Sequence, residues 1–100
     1  MILVRMVFQA RFGKANEVVS GFRRGQEIAR EVFGDRVRSR ILTDLSGPFD
    51  TVVQELEVES LGEWERLRAM MFTDPRFREM QASGFDLIEG GRAEYYTIEA

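Results

Sequence analysis

Six charged residues alternate along two neighbouring segments of the chain, and their spacing suggests a shared role. Arginine takes every second position of the first segment and glutamate every second position of the other: Arg36, Arg38, Arg40, Glu55, Glu57 and Glu59. If residues 46–49 form a hairpin loop, the facing pairs are Arg40 with Glu55, Arg38 with Glu57 and Arg36 with Glu59. Opposite charges that face each other stabilise antiparallel strands by roughly 0.2–1 kcal/mol per pair. One face of this strand pair is therefore polar and must meet water, a partner or a ligand.

The chemistry open to this charge ladder is of two kinds. Guanidinium groups could bind the carboxylate or phosphate of a substrate. Alternatively the charges neutralise one another and set the strand register, since a slip of one residue would move every side chain to the other face. Exposed ion pairs are individually weak and structural. We therefore favour register control over substrate binding.

Arg5 is a second candidate for chemistry. It lies in the middle of a predicted first strand, on the same face as Gln9. A charge inside a central strand is rarely left unpaired. We expect a carboxylate of the adjacent third strand, Glu55 or Glu57, as its partner, and anchoring of a ligand is the alternative.

The aromatic residues offer a possible binding surface. Trp64 lies on the apolar side of a predicted helix near Phe72 and Phe77, and we interpret it as a core residue whose indole N–H donates to a carbonyl. The alternative is a pocket wall between helices and sheet on which an aromatic ligand stacks. Tyr95 and Tyr96 are consecutive on a strand and so point to opposite faces. We expect one in the core and the other on the uncovered face, where its phenol could bind a ligand or partner.

Composition excludes several classes of function. The chain has no histidine and no cysteine, which removes catalytic triads, imidazole acid–base pairs, thiolate metal sites and histidine-bound zinc or haem iron. We expect neither a metal nor a cofactor. The net charge of −3 and the absence of aromatic residues from the predicted third strand argue against nucleic-acid binding.

Length and hydropathy indicate one small domain. The 100 residues suffice for a single core, so we treat 1–100 as one domain. No apolar run reaches the roughly 20 residues of a membrane span, and residues 1–6 are too short an apolar run for a signal peptide. We expect a cytoplasmic protein that does not bind membranes.

Periodicity predicts the elements that position these side chains. Residues 2–11 alternate as a strand, and apolar residues from Ala15 recur at steps of three and four up to Gly34, as in an amphipathic helix. Gly25 lies on or near the apolar stripe of that helix, which predicts close approach to the sheet or to another helix. Two strands follow at about 36–45 and 50–59.

The second half of the chain is predicted to contain a helix, a further short helix and a last strand. Ser60 and Glu63 are spaced as a capping box in which each side chain caps the other's amide. Asp74 and Pro75 begin a further short helix, as a capping side chain and a proline at the first helical position. We read Gly90–Gly91 as a break before a last strand at 92–99.

The resulting order is strand–helix–strand–strand–helix–strand. Right-handed crossovers fold this βαββαβ order into a four-stranded antiparallel sheet with both helices on one face, a ferredoxin-like α+β sandwich. Many functions share this plan, so the fold by itself does not identify the activity.

The whole element order, the segment 60–65, the helix restart at 73–77 and the aromatic strand 94–98 together resemble the dimeric α+β-barrel superfamily. Its antibiotic-biosynthesis-monooxygenase-like and NIPSNAP-like families are the members that the chain resembles. The resemblance implies that two ferredoxin-like subunits place their sheets face to face and close a barrel. It thereby accounts for a sheet face that the chain's own helices do not cover.

The resemblance also frames the function. Our leading hypothesis is a homodimer with an apolar pocket between helices and sheet that binds a small organic molecule. Its candidate ligand-binding residues are Arg5, Gln9, Trp64, Phe72, Tyr95 and Tyr96. The alternative is a cofactor-independent monooxygenase or isomerase acting on an aromatic or quinone-like substrate, and a structural or partner-binding domain is a third. Haem degradation as in some members is disfavoured, because the first strand offers Gln9 in place of asparagine and histidine is absent.

Overall fold

The predicted alternation and helical periods correspond to a four-stranded sheet and three α-helices. The computed structural model describes residues 1–100, the side chain of Phe85 excepted. The elements are β1 (Ile2–Ala10), α1 (Ala15–Phe33), β2 (Arg38–Thr43), β3 (Thr51–Val58), α2 (Leu61–Thr73), α3 (Pro75–Gly84) and β4 (Ile88–Thr97). Short 3₁₀ turns at Gly34–Arg36 and Phe85–Leu87 precede β2 and β4.

The sheet is antiparallel throughout, with strand order β2-β3-β1-β4. Strands β1 and β3 are central, and β2 and β4 are the edges. This is the ferredoxin-like α+β fold that the element order predicted. Among the described residues, none of the helices is long and apolar enough to cross a membrane.

The hydrophobic core lies between one sheet face and helices α1 and α2. The strand residues that face it have even numbers in β1 and β3, which confirms the predicted alternation. The larger cluster consists of Val4, Phe33, Leu56, Val58, Trp64 and Leu67, and a smaller one of Ala10, Val18 and Val52. We call the opposite sheet face, with the odd-numbered side chains of β1 and β3, the open face.

Helix α3 packs against both other helices, and Gly25 allows its close approach to α1. A Cβ built on Gly25 would lie 3.2 Å from the terminal methyl carbon of Met80 and 3.7 Å from the ring of Phe77. The close approach predicted for Gly25 is therefore confirmed, with another helix as the neighbour.

Three helix ends bear on the sequence predictions. The Ser60 hydroxyl accepts from the Glu63 amide at 3.1 Å, but the Glu63 carboxylate accepts from Arg66 and does not complete the capping box. Asp74 caps α3 by accepting from the Arg76 amide at 2.9 Å, as predicted. Helix α1 is capped from a distance by Asp50, whose carboxylate accepts from the amides of residues 13 and 15 at 2.9 and 3.3 Å.

The third rung of the predicted charge ladder is wrong. Strand β2 begins at Arg38, and Arg36 lies in the preceding 3₁₀ turn, where its Nε donates to the Phe33 carbonyl at 3.2 Å. Gly34 ends α1 with a positive φ of 62°, so the chain is still turning at Arg36 and cannot join the sheet. The other two rungs hold, because Arg38 pairs with Glu57 and Arg40 with Glu55 in the β2–β3 register.

The predicted break at Gly90–Gly91 is also wrong, since both residues lie inside β4. A Cβ on Gly91 would stand 2.8 Å from the carbonyl oxygen of Val7 and 3.1 Å from the ring of Phe8. Glycine is needed here because β4 approaches β1 closely, beside a shift of register between Gln9 and Ala10.

Candidate functional site

A row of alternating charges crosses the open face perpendicular to the strands. The register places Arg40, Glu55, Arg5 and Glu94 side by side on β2, β3, β1 and β4, and Arg92 joins at the end. We call these five residues the charge row. The ladder seen in the sequence is thus one part of a wider array that includes both edge strands.

Each carboxylate of the charge row bridges two guanidinium groups. Glu55 accepts from Arg40 at 2.6 Å and from Arg5 at 3.2 Å, each through a different oxygen. Glu94 accepts from Arg5 and from Arg92, both at 2.8 Å. Such charge-assisted pairs are the stronger class of hydrogen bond. The predicted pairing of Arg5 with Glu55 is confirmed, while Glu94 is a partner that the sequence did not indicate.

Burial and electrostatics differ along the row. The Glu55 side chain is only 8% exposed whereas that of Arg40 is 70% exposed, so Glu55 anchors the row and depends on its two arginines for compensation. Hydrogen bonds from Arg92, and then from Arg5 and Tyr96, lower the pKa of Glu94 to about 2. The hydrogen bond to Glu94 is the chief cause that raises the pKa of Arg5 above its ordinary value.

A concave pocket of about 420 Å³ lies on the open face beside the charge row. We call it the sheet pocket; it is lined by Arg5, Val7, Phe8, Gln9, Pro48, Thr51, Val53, Gly90, Gly91 and Arg92. Val7 and Val53, paired across β1 and β3, form an apolar floor that is only 8% and 7% exposed. A volume of this size falls in the range of small-molecule sites.

One wall of the sheet pocket is held in place by hydrogen bonds to the β2–β3 loop. The Gln9 amide donates to the carbonyls of Phe49 at 2.6 Å and Ala10 at 3.2 Å. The Thr51 hydroxyl donates to the Pro48 carbonyl at 2.9 Å. These donors therefore position the loop that carries Pro48 and are already engaged.

The opposite wall is bare backbone at Gly90. This residue pairs with Gln9 across β1 and β4, so a side chain there would point to the open face. A Cβ built on Gly90 would meet nothing within 4 Å. The space that a side chain would take is part of the pocket.

Two of the six predicted site residues, Arg5 and Gln9, line the sheet pocket. Trp64 belongs to the helix-side core, is 5% exposed and does not line it. Core packing of Trp64 is as predicted, but the predicted carbonyl partner of its indole is wrong. Its Nε1 has no hydrogen-bond partner among the described residues, because its neighbours in that cluster are apolar.

The remaining candidates also lie outside the sheet pocket. Phe72 is 42% exposed and packs edge-on against Phe77, with ring centroids 5.7 Å apart. Tyr95 and Tyr96 are 46% and 51% exposed. The prediction that one tyrosine lies in the core is wrong, because β4 is an edge strand. Tyr96 is on the open face and donates to Glu94 at 3.1 Å.

On β4, sequence reasoning named Tyr96 as a candidate but missed Arg92 and Glu94. Arg92, Glu94 and Tyr96 alternate and could have been assigned to one face. Their position opposite β1 could not, because β1 and β4 are distant in sequence and only the assembled sheet sets their pairing. Among the described residues, no group of three or more acidic side chains is placed to hold a metal ion.

Comparison with known proteins gives matches among solved structures. No family model matches the chain, and no curated protein matches its sequence. An uncharacterised NIPSNAP domain protein from Burkholderia xenovorans superposes with a TM-score of 0.86 at 18% identity, over 100% of this chain and 96% of the other. Protein Atu4242 from Agrobacterium tumefaciens gives 0.85 at 20% identity, over 97% and 92%.

A third structure extends the comparison to the other family. A candidate antibiotic biosynthesis monooxygenase from Nitrosomonas europaea superposes with a TM-score of 0.77 at 13% identity, over 100% of both chains. Identities this low establish the fold and not the activity. The chain has the fold of NIPSNAP and antibiotic-biosynthesis-monooxygenase-like proteins, as its sequence pattern indicated.

Proposed function

We propose that this protein is a homodimer that binds a small organic molecule in the sheet pocket, with the partner's open face covering the site. The observation that carries the proposal is the pocket itself. An apolar floor of Val7 and Val53 is surrounded by a few polar groups, Arg5, Gln9 and Arg92 among them. Concave sites of this composition are the usual form of small-molecule sites.

The composition of the open face supports its burial against a second copy. Apolar side chains on this face include Val7, Val53 and Leu42, the last 38% exposed. The charge row is internally paired, so covering it would leave its carboxylates compensated. A second copy could therefore cover this face without leaving a charge unpaired.

The proposed site differs in place from the pocket that we inferred from the sequence. That inference put the ligand between helices and sheet, near Trp64. Trp64 packs there with buried apolar residues of the core, whereas the sheet pocket contains Arg5 and Gln9 and lies on the opposite face. The open face is therefore the better supported location.

Filling the pocket tests the proposal. We expect wild-type protein to give saturation-transfer NMR signals with small naphthalene derivatives, and Gly90→Leu to lose them, because a Cβ at Gly90 meets nothing within 4 Å and a leucine would extend into the pocket. Gly21→Leu is the matched control, since Gly21 lies in α1, outside the pocket, and a Cβ there also meets nothing within 4 Å. Absence of binding to wild type, or equal binding to Gly90→Leu, would contradict the proposal.

A second candidate function is a cofactor-independent monooxygenase or isomerase of aromatic or quinone-like compounds. The likeness to the Nitrosomonas candidate monooxygenase favours it, and Arg5 and Arg92 could stabilise a substrate anion. We expect oxygen uptake with a phenolic naphthalene if the chain is such an oxygenase. Turnover lost in Gln9→Ala at unchanged thermal stability would support catalysis, and no uptake or isomerisation by wild type would count against this candidate.

A further inference from the structure

We infer that the ligand of the sheet pocket is an organic monoanion, held by its carboxylate at the Arg92 and Arg5 end with its apolar body on Val7 and Val53. This inference rests on the proposed function and adds the chemical class of the ligand. It follows from which members of the charge row line the pocket and from the number of charges in that row.

Of the charge row, only arginines line the sheet pocket. Arg5 and Arg92 line it, whereas their carboxylate partners Glu55 and Glu94 do not. The charged groups that a ligand meets are therefore the two guanidinium groups, and their carboxylate partners stand outside the lining.

The row as a whole has one positive charge to spare. Three guanidinium groups alternate with two carboxylates, and the row ends in arginine at both sides. The Arg40 end is on β2, away from the pocket lining, and the Arg92 end is at the pocket. A single negative charge on the ligand would complete the alternation there, whereas a dianion would exceed it.

Arg92 retains the donors that such a ligand needs. A guanidinium group has five N–H donors, and within the described residues Arg92 pairs with Glu94 through Nε at 2.8 Å. The terminal nitrogens of Arg92 remain for a forked contact with a carboxylate. Its side chain is 63% exposed in the single chain and can adjust to the ligand.

The far end of the pocket, at Gln9 and Thr51, has no cationic side chain. The amide donors of Gln9 and the hydroxyl donor of Thr51 are engaged by loop carbonyls. The valine floor lies between the two ends, and the bare backbone of Gly90 stands beside Gln9 at the far end. The site therefore has one anion-binding end and an apolar floor, and its far end offers no charged side chain to a ligand.

The test compares three molecules that share a ring and differ in charge: 1-naphthoate, 1-naphthalenemethanol and 1-naphthylmethylammonium. Calorimetry at low ionic strength should show the anion binding about tenfold more tightly than the alcohol and the cation more weakly than either. Added salt should weaken the anion selectively. Equal affinity of anion and alcohol would overturn the inference while leaving the proposed function intact, and no binding of any of the three would count against both.

Variants test whether Arg92 causes the preference for an anionic ligand. We expect Arg92→Gln to reduce the preference for the anion to less than threefold with unchanged affinity for the alcohol, and Arg92→Lys to retain part of the preference. Arg38→Gln is the matched control, since it removes a charge from the same face outside the pocket, and it should change neither affinity. Undiminished preference for the anion in Arg92→Gln would overturn the inference.

A last arm separates an organic anion from a small ion. Acetate offers the same carboxylate without the apolar body, and chloride offers charge alone. We expect neither to displace naphthoate at equal concentration. Displacement at equal concentration would mean that the site holds any small anion and that the apolar body is irrelevant, which would overturn the inference.

Discussion

At the scale of residues, Glu55 organises the open face. It is the one buried acidic residue among those described, with 7% of the whole residue exposed, and it lies between two arginines whose side chains are more exposed. A buried carboxylate is stable only when it is paired. The fold therefore requires the strand register that brings Arg5 and Arg40 to Glu55. The charge pattern thus acts on the fold through one residue more than through the others.

Glu55→Gln should lower the free energy of unfolding by about 1–2 kcal/mol, because two guanidinium groups lose their shared partner but remain partly solvated. Glu57→Gln is the matched control: its pair with Arg38 spans 3.8 Å and is more exposed, so the change should stay within about 0.5 kcal/mol. Urea unfolding at fixed protein concentration measures both. Equal effects of the two variants would contradict the special role of Glu55.

Glu94 should make stability depend on pH in the acid range. Its pKa in the folded chain is about 2, below the ordinary value of 4.5, so its contribution is complete above about pH 4.5 and is lost as the pH falls toward 2. Wild type should therefore lose its stability advantage over Glu94→Gln across that window. A difference in unfolding free energy that stays constant from pH 6 to pH 2 would refute this expectation.

At the scale of elements, the helix layer depends on one small residue, Gly25, and on one capping residue from a distant loop, Asp50. Asp50, the only non-glycine residue with positive φ in the described backbone, caps α1 from the β2–β3 loop. That capping interaction ties the loop beside the sheet pocket to the helix layer. Gly25 in turn admits the α3 side chains against α1.

The two glycines inside α1 should respond in opposite ways to alanine. Gly21→Ala should stabilise the protein by about 0.5–1 kcal/mol, because an added methyl meets open space and alanine favours the helix. Gly25→Ala should lack this gain or be destabilising, since its Cβ would press on Met80 at 3.2 Å. Thermal unfolding compares them, and an equal gain at both positions would contradict the close contact between α1 and α3.

At the scale of the whole molecule, the open face dominates the proposal. One side of the sheet is covered by the helix layer, and the other presents apolar and paired charged residues together. A second copy placed on this face would bury both and enclose the sheet pocket. The assembly and the binding site are therefore parts of the same hypothesis.

We expect a dimer in sedimentation velocity at micromolar protein concentration. Leu42→Lys should shift it toward monomer, because it replaces an exposed apolar side chain of the open face with a charge. Glu65→Lys, an exposed change on α2, is the control and should leave the dimer intact. A wild-type monomer at that concentration would contradict the proposed assembly.

The sequence by itself determined the element order and the register of the β2–β3 hairpin. Three local patterns carried these predictions: the alternation in 2–11, the helical spacing after Ala15 and the facing charges of Arg40 and Glu55. The secondary structure of a segment follows from such patterns without knowledge of the rest of the fold. The sequence also predicted Arg5 and Gln9 as site residues on one face. Elements whose signals are local were therefore predicted well.

Only the tertiary structure decided what stands opposite those residues. Glu94 and Arg92 reach Arg5 through a strand that is distant in sequence, and Gly90 lines the pocket because β4 begins earlier than its glycines suggested. The predictions of a core tyrosine and of a carbonyl partner for Trp64 were wrong for the same reason. The edge position of β4 and the apolar surroundings of Trp64 are both set by packing. Non-local pairing depends on the whole sheet, and no segment of the chain encodes it alone.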